Sequence, residues 1–503
     1  MPRERTDTRR MRVVSIAACL PVLILALAAI APPATATPGT AMTSGPARTS
    51  GLAATPTPAA TSRPTAVAVP NDFNGDGFVD LALGSQATVS GFPFAGMVPI
   101  VYGTGTTLNP ARRQRIDESL AWVPGTPEQD EGFGSTLASA DFNADGFADL
   151  AVCAPTEAEG SFGGVGALYI LFGTSSGLQR ASRVVSNCDE VATGRFNGDG
   201  FPDLAILGDR PHVVYGSATL SNPGGIVLRN FGVVNSDLFA RAALAAGDLN
   251  RDGYSDVVYT ASRSRGVVLQ VYFGRATGLG TSFSQQIATS LSTSASIGDI
   301  NGDGYGDLAV GSPSAVVSGH DLAGLVRVWF GSASGLNIGR GVTVISQDTA
   351  GIPGGAESGD YFGYSVALGD ATGDGRADLA VGTPFEDIGT ALDAGYATVV
   401  PGAAAGLNFA GSKAYQQGTG GVPGTVRAGN RFGWAMVFRD FNRDRRADLA
   451  ITAVGTNANQ GLAMVLTGRA AGVGGSGVFP VLTPQVLAFP VVARAFLGTS
   501  LFR

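Results

Sequence analysis

From residue 66 to 487 the chain repeats one pattern of apolar and polar positions seven times. Three copies open on an aromatic-glycine pair followed by alternating residues: Phe133-Gly-Ser-Thr-Leu-Ala-Ser-Ala140, Phe362-Gly-Tyr-Ser-Val-Ala-Leu-Gly369 and Phe432-Gly-Trp-Ala-Met-Val-Phe-Arg439. An almost wholly apolar run comes next and ends in a small-residue turn, as in Leu150–Pro155, Leu308–Pro313 and Leu379–Pro384. A third run closes on an apolar or aromatic pair and glycine (Ala167–Gly173, Val268–Gly274, Leu325–Gly331). Turns such as Ser176-Gly-Leu178 then lead to a more polar alternating segment, for example Val342–Asp348. Alternation predicts strands with one wet face, and short continuous apolar runs predict strands buried on both faces. Each period therefore holds four strands. Seven four-stranded antiparallel units of this length predict an all-β, seven-bladed β-propeller over residues 66–487, with 488–503 as a C-terminal tail. The polar fourth strand is expected at the rim.

Between the first and second strand of each period lies a nine-residue loop with oxygen-bearing side chains at positions 1, 3, 5 and 9 and glycine at 6. Its first residues are 72, 141, 195, 248, 299, 370 and 440. Hard oxygen donors on alternate residues, a position-7 carbonyl and a glycine for the sharp turn suit calcium. The candidate ligands are Asp72, Asn74, Asp76, Phe78 and Asp80; Asp141, Asn143, Asp145, Phe147 and Asp149; Asp248, Asn250, Asp252, Tyr254 and Asp256; and Asp299, Asn301, Asp303, Tyr305 and Asp307. Two further sets depart from the pattern. Asp370, Thr372, Asp374, Arg376 and Asp378 place a hydroxyl at position 3, and Asp440, Asn442, Asp444, Arg446 and Asp448 have Arg445 in the glycine position. Phenylalanine, tyrosine and arginine at position 7 offer only their carbonyls. The third loop begins with Arg195, beside Asn197, Asp199 and Asp203, and is expected to hold no ion. About five or six calcium ions are therefore expected. The same residues form ordinary turns, but turns alone do not require three carboxylates in register, which repel without a cation. Position 12 is apolar (Leu83, Val310, Val381), so these loops enter strands and are not EF-hands.

Arginines 3, 5, 9, 10 and 12, an apolar run from Val13 to Ala31 and Ala34-Thr-Ala36 predict a cleaved export signal over residues 1–36. An uncleaved anchor is the alternative, and Arg9-Arg10 leaves Sec and twin-arginine export both open. Residues 37–65, rich in Thr, Pro and Ala, predict a disordered linker. No later stretch is long and apolar enough to span a membrane, so a secreted or extracellular protein, possibly associated with the cell surface, is expected. Of the remaining cysteines, Cys153 and Cys188 could pair in an oxidising compartment, or Cys153 could serve as a small buried hydrophobe.

The formal charge of −7 becomes −10 without residues 1–36, and the seven loops carry 20 of the 40 acids. Six calcium ions would bring the balance to +2. The acidity is mostly ligand field, and with no basic patch a nucleic-acid partner is excluded.

The ordered Phe-Gly start, the D-x-N-x-D-G-x-x-D loop and the small-residue-Pro turn resemble FG-GAP repeats, which form the seven-bladed N-terminal propeller of integrin α chains and occur in exported bacterial proteins. That resemblance implies calcium at the loop positions above and a non-catalytic binding or adhesion module for a protein or glycan ligand. The longer inserts at 124–132, 314–323, 351–360, 386–394 and 418–430 are the expected specificity elements. A propeller-based carbohydrate-active lyase or hydrolase is the alternative. It would need a carboxylate pair or a placed histidine, and only His212 and His320 occur. A purely structural envelope protein is a third reading.

Overall fold

The computed structural model describes residues 67–157, 164–185, 187–208, 210–222, 225, 227–231, 243–263, 266–474, 479–489 and 495–501. The export signal and the linker lie outside these. The fold is all-β: a seven-bladed propeller built from seven antiparallel sheets, six of four strands and one of three, plus two small hairpins. The second blade is representative, with strands Thr136–Ala140, Asp149–Ala154, Ala167–Phe172 and Arg180–Val185 in sequential order. Every residue of its two middle strands is buried. They read as continuous apolar runs because each face packs on a neighbouring blade. One such interface joins Ala138, Phe142, Cys153 and Leu168 to Val191, Leu204 and Ile206 of the third blade. The disulfide between Cys153 and Cys188 crosses this same interface.

The first strands face one another around the centre. The Val366 and Leu368 N–H groups of the sixth blade donate to Ser294 Oγ and Ser296 Oγ of the fifth, at 2.8 and 3.1 Å. Side chains here are small because the strands converge.

The first blade has only three regular strands of its own: Leu81–Ala82, Val98–Gly103 and Leu108–Ile116. Its innermost position is filled from the other end of the chain, where Leu501 pairs antiparallel with Leu83. The donated segment, Leu497-Gly-Thr-Ser-Leu501, is the missing start of the first repeat. Gly498 has φ +88°, matching +92° at Gly134, +85° at Gly363 and +89° at Gly433. Its N–H donates to Gly84 O at 2.8 Å, as Gly134 N–H does to Cys153 O and Gly363 N–H to Gly382 O. Leu497 is buried where the other copies have phenylalanine, and it forms the same parallel bridge, here to Gly461. Sequence gave no way to place this tail, because leucine replaces the aromatic residue that marks a start.

Gly498→Val is expected to lower stability to chemical denaturant by about 1–2 kcal/mol from left-handed backbone strain alone. A Cβ there would also lie 2.7 Å from Thr452 Cγ2. Gly355, with open space around it, is the control, and Gly355→Ala should leave the midpoint unchanged.

Candidate functional site

The seven acidic loops lie on one face; six connect the first two strands of their blade, and the loop at 72–80 leads into the second strand of the first blade, whose innermost position is filled by the C-terminal segment. Within a loop the aspartates and asparagines organise the backbone. The position-1 carboxylate accepts from the position-6 N–H at 2.7–3.0 Å in all but the third loop. Position 3 accepts from position 5, as Asn74 Oδ1 does from Asp76 N–H at 2.9 Å. Position 5 accepts from position 7, as Asp303 Oδ1 does from Tyr305 N–H at 3.0 Å. In the seventh loop Arg445 takes a left-handed φ of +68° and keeps the position-6 bond, so the turn survives without glycine, at a cost in strain. The third loop differs. Arg195 is exposed, no carboxylate stands at position 1, and among its glycines only Gly200 has a positive φ.

Position 9 behaves unlike the other loop positions. In all seven blades this aspartate is buried. One oxygen accepts from the position-2 N–H and the other from the N–H of the glycine that ends the third strand. The distances run from 2.8 to 3.1 Å for Asp80, Asp149, Asp203, Asp256, Asp307, Asp378 and Asp448. Asp203 of the third loop makes the same pair as the rest, so this latch does not depend on a complete ligand set. In most blades each oxygen retains a second lone pair, which leaves coordination open; Asp378 Oδ2 also accepts from Thr372 N–H at 3.1 Å and Asp448 Oδ1 from Asn442 Nδ2 at 3.4 Å. Burial pushes these carboxyls up, to about 8 at Asp80, about 7 at Asp203, Asp256 and Asp448, and about 6 at Asp307 and Asp378. Asp72 and Asp76 add repulsion at Asp80.

Neighbouring loops are also tied to one another. The position-8 N–H of one loop donates to the position-1 carbonyl of the preceding loop: Ala148 to Asp72, Ser255 to Arg195, Gly306 to Asp248, Ala377 to Asp299 and Ala447 to Asp370, at 2.7–2.9 Å. Across the closure, the Arg443 guanidinium stacks on Phe78 at 5.0 Å. The donor set fits a hard cation. The loops are all-oxygen, their acids repel, and Asp72 Oδ1 is buried with no hydrogen-bond partner.

The opposite face carries the links after the second and fourth strands, including all five long inserts. At the sixth and seventh blades it gathers half-buried aromatics. Tyr361 and Phe385 lie 5.0 Å apart, Tyr364 and Trp434 4.6 Å, and Arg431 stacks on Phe385 at 5.3 Å. Tyr361 and Arg431 both adopt left-handed backbone, at φ +59° and +56°. Beside Arg431 a cleft of about 420 Å³ is lined by Arg427, Asn430, Gly455, Asn457 and Asn459. Beneath the cluster, Gln347 Nε2 donates to Glu386 Oε2 at 2.7 Å, and burial raises the Glu386 carboxyl to about 8. The aromatic cluster was not anticipated from sequence. Its signal is the residue after Phe-Gly, which is Tyr364 or Trp434 in two of the three marked repeats.

Family profiles match in four places: FG-GAP repeat at residues 133–171, 292–329 and 362–400, and FG-GAP-like repeat at 248–310. The chain is an FG-GAP repeat protein. Human phosphatidylinositol-glycan-specific phospholipase D is 32% identical over 145 residues, 27% of this chain and 17% of that protein. Integrin alpha-5 of Xenopus laevis is 27% identical over 212 residues, 38% of this chain and 19% of that one. The chain thus spans less than a fifth of either relative. The structure of an Agrocybe aegerita lectin that recognises non-reducing terminal N-acetylglucosamine matches with a TM-score of 0.39 and 14% identity, over 68% of this chain and 82% of that one, too low to carry an argument.

For this FG-GAP propeller the geometry separates two kinds of loop residue. Asp203→Asn puts an amide N–H₂ where a backbone N–H already points. It should cost about 2–4 kcal/mol with or without calcium. Asp303→Asn, at position 5, should lower the thermal midpoint only when calcium is present. Equal calcium dependence in both variants would overturn the division. Glu386 gives a pH signature. Its folded-state carboxyl sits above its unfolded value, so its contribution to stability is present below about pH 4.5 and lost as pH rises towards 8. In saturating calcium, the midpoint of Glu386→Gln relative to the parent should rise between pH 5 and 8 and level off above. A difference independent of pH would contradict the assignment.

Proposed function

We propose that the protein is an exported, calcium-stabilised propeller acting as a non-catalytic binding or adhesion module, with a protein or glycan ligand seated on the face opposite the calcium loops. The observation that carries this reading is the half-buried group of Tyr361, Tyr364, Phe385 and Trp434 with Arg431 stacked against it. Partly exposed rings with a cation at their edge suit the apolar faces of sugar rings and the side chains of a docked protein. The neighbouring cleft and the five inserts would supply the polar contacts that set specificity.

Calcium would be held by the position 1, 3, 5 and 9 side chains and the position-7 carbonyl of the loops beginning at 72, 141, 248, 299, 370 and 440. It would neutralise their crowded acids and so stiffen a ring of loops already joined by backbone hydrogen bonds. Export is supported by the arginine-rich, apolar and Ala-Thr-Ala order of residues 1–36 and by the disulfide. Among the described residues no helix is long and apolar enough to cross a membrane.

Two measurements test this. Elemental analysis of the mature protein should find at least five calcium ions, and excess chelator should lower the thermal midpoint markedly. On glycan and surface-protein arrays, Trp434→Ala should weaken binding at least tenfold, whereas Asp303→Asn in saturating calcium should not. Undiminished binding by the Trp434 variant would move the ligand site elsewhere.

A further inference from the structure

The junction of the first and second blades holds three carboxylates on the face away from the calcium loops. Glu118 follows the outer strand of the first blade, Glu131 stands two residues before Phe133, and Glu157 stands two residues after Pro155. Their exposures are 4%, 1% and 3%, and one oxygen of each lies within 4.8 Å of the others. This is the one such trio of metal-capable side chains among the described residues.

Protein donors satisfy only part of the trio. Tyr169 Oη donates to Glu118 Oε1, the Arg183 guanidinium to Glu157 Oε1 at 2.7 Å, and the Glu128 N–H to Glu131 Oε2 at 2.7 Å. Glu118 Oε2 and Glu157 Oε2 are buried with no hydrogen-bond partner. Two orphaned carboxylate oxygens in one pocket are too costly to leave bare.

The same three positions recur at two other junctions with different chemistry. Between the fifth and sixth blades they are Gln347, Asp360 and Glu386; between the sixth and seventh, Gln417, Asn430 and Thr456. Each position keeps its offset from the outer strand, the Phe-Gly pair and the end of the second strand. In these pockets an amide fills the space between acceptors: Gln347 Nε2 donates to Glu386 Oε2 at 2.7 Å, and Asn430 Nδ2 to Gln417 Oε1 at 2.6 Å. At the first junction no position carries an amide, and all three side chains are acids.

We propose that the Glu118–Glu131–Glu157 pocket binds a divalent, oxygen-preferring cation of the calcium class, at a site separate from the seven loops. Three ionised carboxylates beside the Arg183 guanidinium leave a local charge of −2, which a divalent ion neutralises. An all-carboxylate pocket favours a hard cation. The site is pre-formed on the Glu118 side, since Gly125 leaves room for this carboxylate: a Cβ there would lie 2.3 Å from Glu118 Oε1. Its ion would tie the first blade to the second, beside the ring closure.

The competing description is a pocket held together by protons. Glu118→Gln separates the two, because it recreates the glutamine found at Gln347 and Gln417 and so preserves a side chain this fold already accepts there. Bound metal is counted by elemental analysis after desalting full-length mature protein from calcium, with circular dichroism to confirm folding. The variant should hold one ion fewer than the parent. Crystals of the parent soaked in terbium should show an anomalous peak between the three carboxylates, resolved from any peaks in the loops. Equal metal content in parent and variant, or a map with no peak at the trio, overturns the site whatever the loops contain.

Discussion

The buried aspartate at position 9 is the interaction on which each blade depends. Its two oxygens accept one N–H from the start of the acidic loop and one from the glycine that ends the third strand. A single side chain thereby joins the 1–2 turn to the end of strand three and fixes how the loop leaves the sheet. Putting a carboxylate at zero exposure is expensive unless its lone pairs are used, and two backbone donors offset much of that cost. Because the bonds run to main chain, neighbouring side chains can vary widely. The third blade shows this: it has lost the position-1 acid, its glycine geometry has changed, and its latch is intact.

From that latch follows a division of labour between the faces. On one face, loops placed by seven like anchors come close enough, at five of the junctions, for position 8 of one to bond to position 1 of the one before. Any cation that orders one loop therefore acts on its neighbours as well. On the other face the blades are tied at the repeat starts, where the N–H groups of Phe133, Phe362, Phe432 and Leu497 donate to Ala95, Ala323, Ala394 and Gln460 O of the preceding blade at 2.9–3.0 Å. The links there differ in length from blade to blade, and they carry the aromatic group and the polar cleft. A stiff ring beneath variable links is an arrangement in which recognition can change without disturbing closure.

Much of this was legible in the chain. Strand number, the antiparallel order and the turn that carries each acidic loop all follow from local patterns repeated in register. What was not legible depends on contacts between distant residues. Leu497-Gly498 completes the first blade, but leucine hides the motif, and only the match of backbone angle and hydrogen bonds exposes it. The double role of Asp80 and its equivalents was hidden because a ligand and a latch call for the same residue. Cys153 and Cys188 left pairing open until the third blade brought them together. Tyr361, Tyr364, Phe385 and Trp434 come from two blades, and in sequence each reads as an isolated aromatic.

The inter-blade pockets extend the same reasoning from strands to polar groups. Where the outer strand of one blade hands over to the next, three side chains converge that cannot reach bulk water. The fold does not dictate their chemistry; it dictates only that donors and acceptors balance. Glutamine with glutamate comes close to that in one pocket, and asparagine with glutamine in another, where only the neutral oxygens Gln347 Oε1 and Thr456 Oγ1 are left over. In the first pocket the protein supplies acceptors in excess, with Tyr169, Arg183 and one backbone N–H against three carboxylates. An imbalance of that kind has to be made up by something that is not part of the chain. A propeller whose blades meet through such pockets can gain or lose a ligand site by changing a single amide to an acid, with no change to any strand.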